Sequence, residues 1–203
     1  MQDCDEDRAA DAVRASRART FVALAIAACV ILWVLVEGMR VYSYLPDRIP
    51  LGFGVDSSGD VHLKQTLPKN PLTIYAMLAF GVFFMVAASL TARGPYPPHG
   101  GIRGGGSKVD IDRLIDRLMA LPEPQREYAM APVREGWREA GAVVAIATAM
   151  MQRALWQALI TRQHWVTPII IFMIGIAVAL AFAAVGSVTF QRRARRLLET
   201  DAS

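Results

Sequence analysis

Three histidines, two cysteines and one glycine-rich stretch carry most of the reactive chemistry in this chain, and their spacing organises little of it. His62, His99 and His164 fall in separate segments, so none stands at the ligand spacing a metal site needs. Cys4 lies in a polar stretch and Cys29 in the middle of an apolar run, where a thiol has no base to activate it and serves packing instead. GGIRGGG, from Gly100 to Gly106, is followed by Ser107 and Lys108, but it lacks the spacing and the preceding strand of a phosphate cradle. No HExxH, GxSxG or GxGxxG pattern occurs. The sequence therefore leads us to expect no catalytic residue, no metal ligand and no cofactor. The charges that stand out are Glu37 and Arg153, each set at the edge of or inside an apolar run.

Those runs are the elements that must position them. Hydrophobic residues make up 54% of the 203 and charged residues 20%, yet the charges are missing from long stretches rather than thinned evenly, as happens when membrane and aqueous segments alternate. A helix crossing hydrocarbon needs about 20 mostly apolar residues at about 1.5 Å each. Residues 20–38, 72–92 and 168–190 qualify directly. Residues 140–160 qualify with one interruption at Gln152 and Arg153, if Arg153 snorkels outward; a re-entrant or interfacial helix is the alternative. With four spans, sixteen of the 22 Lys and Arg fall on one side and five on the other, Arg153 lying within a span. The positive-inside rule then predicts a multi-pass protein of the cell membrane with both termini cytoplasmic. The expected fold class is an all-α membrane protein, a four-helix transmembrane bundle with a short extracytoplasmic β-hairpin-like loop and a cytoplasmic amphipathic helix.

Depth arithmetic links the two charges. Glu37 lies about 25 Å along its helix from Thr20 and Arg153 about 20 Å along from Ala140, both counted from the cytoplasmic side. They end within about a helical turn of one another in height. An intramembrane ion pair is the sharper reading, and two groups that snorkel separately the blander one.

The aqueous segments are a tail over 1–19, a loop over 93–139, an outer loop over 39–71 and a basic tail over 191–203. The 93–139 loop opens with a Pro- and Gly-rich tether and continues into an amphipathic helix over 108–121, with Ile115, Leu118 and Met119 among its apolar positions. That helix rests on the membrane or the bundle, docks a partner, or self-associates. In the outer loop, Asp56-Ser-Ser-Gly-Asp60 is turn chemistry between Ile49–Val55 and Val61–Leu67, which predicts a hairpin.

Leu45-Pro46-Asp47-Arg48-Ile49-Pro50, then Phe53, Gly59, Asp60 and Lys64, stand between the first two spans. This arrangement, over residues 20–92, resembles the DUF1648 module of bacterial integral membrane proteins, which also forms the N-terminal part of SdpI-type immunity proteins. Members usually carry His two residues after the second proline, where this chain has Gly52. The resemblance implies a non-enzymatic membrane protein concerned with envelope sensing or with immunity to an extracytoplasmic peptide. The alternative is an accessory or structural subunit of a larger membrane complex or transporter, packed through small-residue faces such as Ala23, Ala27 and Ala28 or Gly175, Ala179 and Ala183. The expected partners are the lipid bilayer and either that peptide or a membrane protein. A net charge of +4 is too slight to point to nucleic acid.

Overall fold

Long apolar runs free of internal breakers become long helices. The computed structural model describes residues 2–55, 61–92, 115–161 and 166–201. Its elements are α1 (Gln2–Val41), a 3-10 turn (Tyr42–Tyr44), β1 (Arg48–Val55), β2 (Val61–Pro68), α2 (Pro71–Thr91), α3 (Glu123–Thr161) and α4 (Thr167–Asp201). A further helical stretch covers 115–120. The chain is mostly helical with one two-stranded sheet, and α1, α3 and α4 are each long and apolar enough to cross a membrane. α2 is shorter and apolar over Tyr75–Thr91.

The helices overrun the expected spans. α1 starts at Gln2 rather than near Thr20, α3 starts at Glu123 rather than Ala140, and α4 continues past Phe190 to Asp201. Over their described residues, 2–19 and 191–201 are helical and continue α1 and α4. Hydropathy marks only the part of a helix suited to hydrocarbon. Stretches rich in Ala, Arg and Glu continue the same helices through helical propensity and through docking on one another.

α3 is the hub. α1, α2 and α4 each pack along it, while α1 and α2 scarcely touch, leaving a furrow of about 340 Å³ lined by Leu24, Met85, Val86, Ser89 and Leu90. The most apolar stretch of α3 is 44% buried against 17% for those of α1 and α4, which explains why α3 tolerates more polar residues. The contacts also fix direction. Met77 meets Gln152 and Gly81 meets Thr148, so α2 runs antiparallel to α3. Gly175 meets Ala147 and Gly186 meets Pro132, so α4 does too. α1 runs parallel, pairing Arg17 with Glu127, Arg19 with Glu139 and Glu37 with Arg153. Direction alternates along the chain, and Gln2 and Asp201 lie toward the same end of the array.

Small residues make this approach close. A β-carbon on Gly81 would strike the Thr148 hydroxyl, and one on Gly175 the Ala147 methyl. Ala27 and Ala179 are buried as well, so much of the small-residue surface is used inside the chain.

Pro132 lies inside α3. Without an N–H it cannot donate to the carbonyl of Tyr128, four residues back. That carbonyl instead accepts from Arg193 Nη1 of α4 at 3.0 Å, and the guanidinium lies 4.2 Å from the centroid of the Tyr128 ring. Arg193→Leu should lower stability in detergent by about 1 kcal/mol, the low end of the cost of an unsatisfied acceptor, because this one is only part-buried. The same substitution should cost less in a Pro132→Ala background, where the backbone amide returns; equal costs in thermal unfolding of both backgrounds would remove this role for Arg193.

β1 and β2 pair antiparallel with Ile49 opposite Leu67, Phe53 opposite Leu63 and Val55 opposite Val61, and the register shifts on either side of Gly52. Gly52 stands two residues after Pro50, which has no amide to give to the ladder, and the two together account for an irregularity here. The turn itself, with Gly59 and Asp60, lies outside the described residues, as do the tether and 108–114.

Candidate site where the hairpin meets the helices

At the end of the array that carries the hairpin, Arg153 Nε donates to Glu37 Oε2 at 2.7 Å. Trp33 and Glu37 are one turn apart on α1, so both face Arg153, whose guanidinium carbon lies 5.0 Å from the centroid of the Trp33 ring. The two charged side chains are 23% and 29% exposed, which places the pair at the edge of the α1–α3 contact and not deep inside it.

Next to the pair the packing is tight. Trp156 is 2% exposed, meets Tyr75 edge-on at 5.8 Å and 87°, and lies so near Gly38 that a β-carbon there would collide with the indole. The buried Gln152 accepts from the Met77 amide at 3.2 Å, tying α3 to α2. The Trp156 Nε1 has no hydrogen-bond partner among the described residues.

The motif over 45–50 is anchored to this cluster at its first and fifth residues. Leu45 and Ile49 are buried with Val34, Leu78, Ala149 and Trp156, whereas Pro46, Asp47 and Arg48 are exposed. Lys69 fastens the other side. Its Nζ donates to the Leu45 carbonyl at 2.9 Å and sits 4.6 Å from the Tyr42 ring centroid, and its amide donates to the Asp47 carbonyl at 2.8 Å. Pro50 and Phe53 fall on β1. The structure thus brings Glu37, Arg153, Leu45 and Ile49 to one end of the array; Asp47 contributes its backbone there while its side chain faces outward.

Sequence reasoning missed the opposite end. Glu139 is 3% exposed and accepts from Arg19 Nε at 2.6 Å, Arg19 Nη2 at 3.2 Å and the Thr20 hydroxyl at 3.3 Å. Glu135, one turn earlier and equally buried, accepts from Arg138 at 2.8 Å, and Arg17 pairs with Glu127. The available signal was a pair of Glu at i, i+4 leading directly into an Ala- and Val-rich run. Here too Ile115, Leu118 and Leu121 are buried, the two leucines against Met130 and Val133 of α3 and Phe190 and Ala194 of α4. Of the three readings of the amphipathic helix, the described part shows packing on the chain's own helices.

No group of three or more His, Cys, Asp or Glu suited to a metal occurs among the described residues. The arrangement holds the hairpin base against the helix array through Leu45, Ile49, Trp156 and Lys69, and the Glu37–Arg153 pair beside it joins α1 to α3. No family model, no curated protein and no solved structure matches the chain.

Proposed function

We propose that the chain is a four-span protein of the cell membrane, with both termini cytoplasmic, and that its hairpin is an extracytoplasmic recognition element of the sensing or immunity kind. The observation that carries this reading is the inverted surface: Phe21, Leu32, Phe83, Leu90, Met173 and Val185 are exposed on the helices, while the pairs Glu37–Arg153 and Arg19–Glu139 and the Gln152 amide sit at contacts between helices. A surface this apolar over several helices matches lipid and is foreign to water. α2, at 21 residues, spans about 31 Å, enough for the hydrocarbon. The end carrying Arg14, Arg17, Arg192 and Arg195 faces the cytoplasm by the charge rule.

The hairpin supports the recognition reading because its base is fixed by Leu45, Ile49 and Lys69 while Pro46, Asp47 and Arg48 remain presented. An accessory subunit is the second reading; with Ala27, Gly175 and Ala179 packed inside the chain, it loses much of the surface that suggested it. The motif resemblance to DUF1648 modules is consistent with the first reading and rests on those residues alone.

Single cysteines in a background lacking Cys4 and Cys29 test the topology. An impermeant thiol reagent on intact cells should reach position 58 but not 104 or 199, and the reverse pattern would overturn it. Cells carrying the chain should outlive cells carrying a version without 49–67 when challenged with envelope-active peptides. Equal survival, together with migration in a stoichiometric larger complex on native gels, would favour the accessory subunit.

A further inference from the structure

One outward face of α4 changes character without changing direction. Ile174, Val178, Ala181, Val185 and Val188 are exposed, and their spacing of four and three residues keeps them in one stripe. The same spacing leads next to Arg192 and Arg195, both exposed and neither with an ion-pair or hydrogen-bond partner among the described residues. The opposite face of this segment is locked: Phe190 and Ala194 are buried, Leu197 and Leu198 pack beside them, and Arg193 holds Tyr128. The two arginines are therefore presented by a rigid helix.

Their height can be worked out. The hydrocarbon is about 30 Å thick and the bilayer with its headgroups about 40–45 Å, leaving about 5–7 Å of interface on each side. Four residues past Val188, Arg192 lies about 6 Å further along the axis, and Arg195 about 10 Å. Helical side chains tilt toward the helix N-terminus, which on α4 is back toward the hydrocarbon, so both guanidinium groups lean into the headgroup layer. The helix dipole does not account for them, because α4 runs on to Asp201 and the dipole acts only within about the last turn.

Resting on the membrane placement above, we propose that Arg192 and Arg195 form a headgroup site for an anionic phospholipid, whose acyl chains lie along the apolar stripe. Guanidinium groups suit it because they bind phosphate oxygens through paired N–H donors.

The full chain in nanodiscs of phosphatidylcholine with a minor fraction of phosphatidylglycerol, analysed by native mass spectrometry for co-purified lipid, tests this. Wild type should retain phosphatidylglycerol over phosphatidylcholine. Arg192→Gln with Arg195→Gln should cut that preference about 25-fold, roughly fivefold per arginine, with unchanged thermal stability in neutral detergent. Arg192→Lys with Arg195→Lys should keep only part of it, because lysine retains the charge without the paired donors. An undiminished preference in the double glutamine variant, or none in wild type, would overturn the site. A wild type that fails to enter the nanodisc fraction would overturn the membrane reading itself, and the site with it.

Discussion

Glu37→Gln and Arg153→Gln are each expected to lower stability in detergent by about 2–3 kcal/mol, while the double variant loses clearly less than the sum. Removing one partner of a desolvated pair leaves the other charge without compensation, typically worth 3–5 kcal/mol when burial is complete. Exposures of 23% and 29% argue for the lower end. Exchanging the two, Glu37→Arg with Arg153→Glu, should restore the attraction but only part of the stability, because the carboxylate then takes the place of the guanidinium over Trp33 and the cation–π contribution of about 0.5–1 kcal/mol is lost. Chemical or thermal unfolding of the four variants closes the cycle. Strictly additive losses would mean that the contact contributes nothing as a pair.

Glu37 and Arg153 were legible as neighbours because height along a helix follows from counting residues, and two charges at one height in apolar runs have few other partners. The hairpin was legible for a similar local reason: turn residues between two alternating runs need no knowledge of the rest of the chain. Helix ends were not. The difference between 20 and 2 as the start of α1 lies in helical propensity and docking, and hydropathy counts neither. Nor could Arg193 be assigned. Its partner is a carbonyl freed by Pro132 on another helix, and only the crossing of α3 and α4 brings the two together. Glu135 and Glu139 read only as the polar lead into the next span until Arg19 and Thr20 of α1 are placed against them. The sequence resolves what depends on spacing within one element and loses what depends on which faces of two elements meet.

The crossing that supplies Arg193 also makes one glycine costly to replace. A β-carbon on Gly186 would meet the Pro132 carbonyl oxygen at 2.6 Å, and one on Gly136 the Phe182 carbonyl oxygen at 3.1 Å. These are backbone atoms of two long helices, so no side chain can move aside, and relief requires α3 and α4 to part along their shared length. Overpacking of this kind costs about 1–3 kcal/mol and more where the backbone must shift. Gly186→Ala is expected to lower the unfolding free energy in detergent by about 2 kcal/mol, and Gly186→Leu by more than 3 kcal/mol on the same scale. Val185→Ala, next in sequence but facing outward, should change it by less than about 0.5 kcal/mol. Parting the helices also carries Arg193 away from Tyr128, two turns further along, so Gly186→Ala and Arg193→Leu should together cost less than their sum. Thermal unfolding of these variants decides it: a Gly186→Leu protein as stable as wild type would mean that α3 and α4 do not cross at this point.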